Sequence, residues 1–473
     1  MSEEIESSGD SSSPENPAPK NQLKVRDDHT PVSFQSAKDP GKFVLCDGHE
    51  ASWATKDQEF GLQELRNRIE PWLTALFQSE HLSLVAGSGL THATHYLAAS
   101  RPAAGMSGTV SESQFRKQIL NAAHSSAQAS GRQEGNLEDQ IRSINELITG
   151  LLILGRTEEA DELRQELSVS LKEFAEKILG SEAGIATAPD DQREKAFTAL
   201  VSFLMSFASR TGTRDRLHIF TTNYDRVIEA GAEIAGLHLL DRFVGTLMPI
   251  FRSSRLDVDM HYNPPGIRGE PRYLEGVARF TKLHGSVDWL QTEMDVRRTG
   301  LPFGANEVAP YLVAPGIAEA DPYRLMIYPN AAKDRETSEY PYVELFRDFA
   351  SALCRPNSTV VTYGYGFGDE HINRVLRDML TIPSTHLVVI SRDDPLGRIF
   401  RLAERRPSQV TLLLGPQLAD LATLTGYFLP KPAIDRATLR MSELLRHRYG
   451  SSSTSERKVE KSEDLDSSAP EVR

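Results

Sequence analysis

Cysteine is nearly absent: the 473 residues contain two, Cys46 and Cys354, with no Cys-x-x-Cys spacing. A disulfide framework is therefore not expected, and a reducing cytoplasm is the natural setting. A four-thiolate zinc site cannot be assembled from one chain, and no zinc is expected. Long apolar runs are missing too. The longest, residues 147–154, is broken by Thr149 and Gly150. It falls far short of the roughly 20 residues that a membrane-spanning helix needs. The N-terminus is rich in Ser, Glu and Pro rather than basic and then apolar, so it does not read as a secretory signal. Positive charge is in deficit, with 53 Lys and Arg against 66 Asp and Glu and a net charge of -13. The pI near 5.6 argues against a generally basic nucleic-acid binder. Several catalytic signatures are lacking. There is no Gly-x-x-x-x-Gly-Lys-Ser/Thr phosphate loop, no Gly-x-Ser-x-Gly elbow and no His-Glu-x-x-His metal motif.

What is present is a globular core, 39% hydrophobic and 25% charged, between two polar ends. Residues 1 to about 30 and the tail from about 450 have almost no apolar side chains, and both are expected to be disordered. A C-terminal helix is expected between 431 and that tail. Residues 64–77 have helical periodicity, with Leu65, Ile69, Trp72, Leu73 and Leu76 on one side. Residues 82–86, 217–221, 280–283, 360–363, 387–390 and 410–414 are short apolar runs of the kind that form strands covered on both faces. Between the first and second of these, residues 113–210 carry apolar positions at helical spacing, separated by Gly- and Ser-rich linkers. The expected fold is α/β, a Rossmann-like doubly wound parallel sheet with a large all-helical insertion at about 113–210.

Four motifs directly follow strand-like runs, and open α/β sheets bind ligands beyond the carboxyl ends of their strands. Gly87-Ser88-Gly89-Leu90-Thr91 comes first. Its glycines let a backbone approach a phosphate, and the N–H groups of a starting helix favour an anion; a tight strand-to-helix turn explains the glycines equally well. In Thr222-Asn223-Tyr224-Asp225, Asp225 suits a helix N-cap, whereas Asn223 has no local structural requirement. In Leu283-His284-Gly285-Ser286, the neutral imidazole of His284 can take a proton near pH 7. The last motif runs from Gly364 through Tyr365, Gly366, Phe367 and Gly368 to Asp369. There Asp369 can cap a helix whose apolar face holds Ile372, Val375, Leu376 and Met379. His371 and Asn373 fit either the packed face of that helix or a ligand contact. The glycine spacing is not that of a dinucleotide oxidoreductase, so hydride transfer is not favoured.

In this order and with these residues, the set resembles the SIR2 (sirtuin-like) superfamily. It is most similar to the bacterial SIR2-like branch of NAD-consuming proteins. Ser88 and Thr91 stand for the Ala and Ser of Gly-Ala-Gly-x-Ser, Thr222 occupies the Gln position of Thr-Gln-Asn, and His284 matches the family's His-Gly. Residues 327–330 and 342–349 add to the likeness. Nothing like Ile-Pro-Asp-Phe-Arg follows the first motif, and the zinc module's cysteines are missing, so deacylation is not implied. The resemblance implies an NAD-binding domain over residues 31–430 that cleaves the nicotinamide–ribose bond with water as acceptor. Asn223 and His284 would be the catalytic pair. Contacts to NAD would come from Gly87, Ser88, Gly89, Thr91, Thr222, Asp225, Ser286, Gly364, Gly366, Asp369, His371 and Asn373. It further implies an effector of antiphage immunity that works as a homo-oligomer beside a separate partner such as a HerA-type ATPase. A non-catalytic NAD- or ADP-ribose-binding regulator and a protein ADP-ribosyltransferase remain open as alternatives.

Overall fold

The computed structural model describes residues 20–431, apart from 26–27, 56–57, 105–112, 130–133, 209, 211–213, 255–257, 263–271, 293–294, 313–339 and 395. The expected helix and tail beyond 431, and the family-like residues 327–330, lie outside the described residues. The described residues up to Pro430 form one compact unit.

The chain opens with four short strands, β1 (Asn21–Lys24), β2 (Val32–Ser36), β3 (Lys42–Leu45) and β4 (Phe60–Gly61), joined as an antiparallel meander. The expectation of a solvated segment as far as residue 30 is thereby corrected at residues 21–24. Leu23 and Val25 are fully buried. Lys24 Nζ donates to the carbonyl oxygens of Pro407 and Val410. A polar composition around a short apolar run does not stop that run from pairing when an edge of the sheet is open to it.

Helix α1 (Leu62–Phe77) buries Leu65, Ile69, Leu73 and Phe77, one stripe of a 3.6-residue period. Then come β5 (His81–Ala86) and α2 (Ser88–Ala99). Four helices follow: α3 (Arg116–Ala129), α4 (Leu137–Ile153), α5 (Thr157–Ala186) and α6 (Asp190–Ala208). No strand occurs among the described residues of 113–210. The first three of these helices share a core built on Ile144, Leu163 and Phe174 among others, which also takes in Tyr224, Val287, Leu301 and Val308 from outside the insertion. Helix α6 instead joins the layer covering the sheet. Its Phe203 lies 4.9 Å from the Tyr363 ring, and its Phe207 stacks on Phe77 of α1 at 4.7 Å.

The chain returns to the sheet at β6 (His218–Thr221), then forms α7 (Val227–Ala235) and β7 (His238–Leu240). Small antiparallel pieces come next. They comprise β8 (Phe243–Val244), β9 (Ile250–Phe251) and a hairpin of β10 (His261–Tyr262) with β11 (Arg272–Tyr273). After β12 (Val277–Lys282), β13 (Trp289–Gln291) and β14 (Val296–Arg298) complete a four-stranded sheet with β8 and β9. The last part alternates α8 (Tyr342–Leu353), β15 (Ser358–Tyr363), α9 (Glu370–Met379), β16 (His386–Ser391), α10 (Arg398–Arg405) and β17 (Val410–Leu414). The main sheet has eleven strands in the order β4-β3-β2-β1-β17-β16-β15-β5-β6-β12-β7. Its seven strands from β17 to β7 are all parallel. This is the doubly wound sheet that the apolar runs indicate, extended by the antiparallel meander.

Because side chains alternate along a strand, each parallel strand feeds two cores. Val85, Phe220, Val360 and Leu387 face α8, α9 and α10. The opposite face is closed by α1 and α6. Among the described residues no helix is long and apolar enough to cross a membrane.

Candidate active site

The carboxyl ends of four central strands are level. Ala86 of β5 is opposite both Tyr363 of β15 and Thr221 of β6, and Thr221 is opposite Lys282 of β12. All four motifs therefore leave the sheet at one height. The chain proceeds from β5 to β6 on one side and places β15 on the other, so the order reverses between β5 and β15. That is the switch point at which open α/β sheets leave a crevice.

The first and fourth motifs touch through their backbones. Gly87 N–H donates to the Tyr363 carbonyl and Gly89 N–H to the Gly364 carbonyl, each at 3.0 Å. A Cβ on Gly89 would lie 2.5 Å from Gly364 Cα, and one on Gly87 would lie 2.5 Å from the Gly364 oxygen. Gly364 itself has φ of +60°. These three glycines are therefore required by backbone contact. Gly366 differs, since nothing lies within 4 Å of its missing Cβ and it lines the cleft.

The cleft encloses about 330 Å³. Gly87, Ser88, Thr91, Thr222, Asn223 and Asp225 line it from the first two motifs, and His284, Gly366, Asp369 and His371 from the last two. Asn223 is buried, and its Nδ2 donates to the Gly87 carbonyl and to Thr91 Oγ1, both at 3.0 Å. A carbonyl can only accept, so the amide orientation is fixed and Oδ1 is the atom left to accept from a ligand. Thr91 Oγ1 in turn donates to Asp225 Oδ2 at 2.6 Å, and Asp225 Oδ1 accepts from Val227 N–H at the start of α7. The N-cap of α7 is Arg226 rather than the expected Asp225; Asp225 stands one residue earlier, accepts from the first helical N–H and ties two motifs together.

His284 Nε2 lies 2.9 Å from Asp369 Oδ2. Both side chains are buried, with relative exposures of 9% and 7%. The other oxygen of Asp369 accepts from His371 N–H at 3.0 Å and caps α9. An ionised carboxylate only accepts, so it holds the imidazole proton on Nε2 and leaves Nδ1 as the basic nitrogen.

Four of the expected ligand contacts, Ser286, Asn373, Gly89 and Gly364, do not reach the cleft lining. Ser286 is buried and its hydroxyl donates to the Tyr224 carbonyl at 3.2 Å, which joins the second and third motifs. Asn373 Nδ2 donates to the Phe367 carbonyl at 2.9 Å, and its Oδ1 accepts from Tyr365 Oη at 3.1 Å. It braces the glycine turn, whose Phe367 has φ of +51°. Gly89 and Gly364 likewise act behind the surface. Beneath the cleft, Lys282 Nζ donates to the Asp225 carbonyl and pairs with Glu229 at 2.9 Å. Burial pushes the Glu229 carboxyl up to about 7 against the pull of that ammonium.

The helical insertion supplies a wall that the motifs do not announce. Asn136 and Glu138 of the α4 start, and Phe174, Lys177, Ile178 and Ser181 of α5, line the cleft. The insertion is fixed there by a buried ion pair. Arg226, in the loop after the second motif, donates from Nε to Glu182 Oε1 at 3.2 Å and from Nη2 to Glu182 Oε2. The Arg226 backbone N–H also donates to Glu182 at 2.7 Å, and Glu182 is fully buried. His92, one residue beyond Thr91, also lines the cleft. Burial holds its imidazole below the usual range, the neighbouring His95 adding to this and Asp225 opposing it. Its place next to Thr91 was the only sequence signal for it.

Helices α2 and α9 both start at the cleft, and they differ. The start of α9 is closed by the Asp369 carboxylate, whereas α2 begins at Gly87 with no side-chain cap. In the first turn of α2 the Gly89 N–H donates to the Gly364 carbonyl and the Leu90 N–H to the Gly87 carbonyl, so it is the Ser88 position, which lines the cleft, and the positive dipole end of the helix that suit an anion.

Residues 217–411 match the family model of the SIR2-like domain. The match takes in the second, third and fourth motifs and the strands that carry them. It spans under half of the chain and leaves out the first glycine motif, the insertion and the antiparallel meander. No curated protein matches the chain significantly. The SIR2-like region points to NAD-related chemistry. Among the described residues no group of three or more His, Cys, Asp or Glu is arranged to hold a metal ion.

Proposed function

We propose that the chain is an NAD⁺ glycohydrolase, cleaving NAD⁺ to ADP-ribose and nicotinamide in the cleft beyond β5, β6, β12 and β15. The observation that carries this reading is the convergence of Asn223 and the His284–Asp369 pair on one cleft beside the uncapped start of α2. A regulator that merely holds NAD would use the glycine turns and the helix start. It would have no use for an imidazole aligned by a buried carboxylate.

The residues present fit NAD⁺. The diphosphate suits the α2 N-terminus, and the open face of Gly366 lets a sugar approach the backbone. Asn223 Oδ1 accepts a hydrogen bond from a ribose hydroxyl or from water. In the reaction, the C1′–nitrogen bond breaks and nicotinamide leaves with the electron pair. The water oxygen bonds to C1′, and Nδ1 of His284 takes the water proton while Asp369 stabilises the resulting imidazolium. General-base help of this kind contributes about 10²–10⁴-fold.

Unrestrained NAD⁺ loss harms the cell that makes the enzyme, so the activity has to be gated. The likeness to bacterial SIR2-like proteins supports a role as an antiphage effector. It also supports gating by homo-oligomer assembly and by a separate partner such as a HerA-type ATPase. The test is to incubate the full chain with NAD⁺ in H₂¹⁸O, with and without such a partner, and to follow both products. Nicotinamide appearing together with ¹⁸O-labelled ADP-ribose is the expected result. Nicotinamide with label-free ADP-ribose on protein would make the chain a transferase. Bound NAD⁺ left intact under every condition would make it a binding module.

A further inference from the structure

His92 lines the cleft, yet cleavage of NAD⁺ by Asn223 and His284 makes no use of it. It stands in the second turn of α2, four residues after Ser88 and next to Thr91. Residues at i and i+4 share a helix face, and helical side chains lean towards the N-terminus of their helix. The imidazole is thereby directed back over Ser88 and the uncapped helix start, and Ser88, Thr91 and His92 all line the cleft.

Three of the residues lining the cleft are histidines, and the protein engages two of them. His284 Nε2 meets Asp369 at 2.9 Å, and the His371 ring lies edge-on to Phe346 at 6.2 Å. His92 is half-buried and makes no hydrogen bond, ion pair or ring contact among the described residues. Asp225 acts on it by charge, but each Asp225 oxygen already accepts, one from Thr91 Oγ1 and the other from Val227 N–H. His95, the next histidine of α2, is bonded to the Arg101 carbonyl at 2.9 Å. Glu138 and Lys177 of the insertion face the same cleft. Burial, with His95 adding to it, holds the His92 imidazole below its usual range, so the ring is neutral near pH 7. A neutral ring keeps one N–H to donate and loses less hydration than an ammonium would when a ligand covers it.

We propose that His92 is a substrate-binding residue, donating from its ring to an oxygen of the diphosphate at the Ser88 end of α2. The first turn of α2 is short of donors for that group, because the Gly89 and Leu90 N–H groups are spent on the Gly364 and Gly87 carbonyls. Cationic side chains are scarce as well. Among the described residues that line the cleft, Lys177 is the only lysine or arginine. The positive end of α2 attracts the anion, and His92 adds a side-chain donor directed at the same place. Polar groups shielded from water are generally paired, and here the ligand completes the pair. The inference rests on the reading of the cleft as the NAD⁺ site.

The test is calorimetry of the full chain with ADP-ribose and with ADP, which keeps the diphosphate and lacks the terminal ribose. His92→Leu removes the ring donor, His92→Gln retains one, and both new residues form helices well. With His92→Leu, both ligands are expected to bind about tenfold more weakly. With His92→Gln, affinity should stay within about threefold of the parent, since a donor to the charged group remains. Melting temperatures should stay level, because no bond within the protein is lost. In NAD⁺ cleavage the His92→Leu loss should fall on KM more than on kcat. Parent-like binding by His92→Leu overturns the inference and leaves the reading of the cleft intact. So does a loss confined to ADP-ribose, which would move the contact to the terminal ribose. A loss that His92→Gln shares in full would make the ring a packing element only, and overturns the inference too. A parent chain that binds neither ADP-ribose nor NAD⁺ overturns the reading of the cleft and this inference with it.

Discussion

Asp369 has two tasks on two oxygens, and substitution can separate them. Oδ1 accepts from His371 N–H and caps α9, while Oδ2 sits 2.9 Å from His284 Nε2. Asparagine caps helices about as well as aspartate, so Asp369→Asn retains the first task through its carbonyl oxygen. Its amide nitrogen then faces His284 and donates where the carboxylate accepted. Nε2 must become an acceptor, the ring proton moves to Nδ1, and the basic nitrogen is lost. The expected outcome is a fall in NAD⁺ cleavage of about 10²–10⁴-fold in kcat, with KM and melting temperature little changed. Asp369→Ala should lose a similar amount of activity and also the cap, at about 0.5–2 kcal/mol of stability. Steady-state nicotinamide release and thermal melting of both variants read the two effects separately. An Asn variant that cleaves NAD⁺ at the parent rate would refute the reasoning, because the pair would then be structural only.

Removing Glu182 by Glu182→Ala strands Arg226 as a buried charge, and chemical denaturation should register a loss of about 3–5 kcal/mol; a loss well under 1 would mean the pair is not what fixes the insertion. Gly89→Ala puts a Cβ 2.5 Å from Gly364 Cα and should lower the melting temperature and abolish cleavage. Gly366→Ala, facing open space, should leave melting unchanged and raise KM for NAD⁺; equal melting of the two variants would contradict the backbone-contact account. Burial pushes the His386 imidazole down to about 4, with Lys24 adding to it, against 6.5 for an ordinary imidazole. The unfolded chain takes up that proton first, so the stability is whole above pH 6.5 and is lost as pH falls towards 4, by about 2–3 kcal/mol. His386→Gln should flatten this part of the stability–pH curve measured by urea unfolding, and an unchanged slope would assign the loss to other groups.

The parallel sheet was legible because its strands are short, apolar on both faces and each followed by a turn or a polar motif. The four motifs were legible as one site for the same reason, since parallel strands deliver their carboxyl ends to one edge. Other features depend on contacts between residues far apart in sequence. Nothing near Asp369 reveals that its second oxygen meets His284, 85 positions away. Gly89 and Gly364 read as phosphate-binding glycines but are glycine because two backbones touch. Ser286 and Asn373 belong to the motifs and brace them from behind. The insertion's periodicity indicated helices but not which face would meet the cleft, because Asn136 and Lys177 are ordinary polar positions of a helical pattern. Residues 21–24 were hidden by their polar surroundings, and the pairing edge offered by β17 decides their structure.

The central claim is that Asn223 and His284 act together in this cleft to cleave NAD⁺. Single-turnover release of nicotinamide by the parent chain, Asn223→Ala and His284→Ala, each checked by melting temperature, tests it most directly. The account predicts release by the parent and near-complete loss in both well-folded variants. Release at the parent rate by both would contradict it.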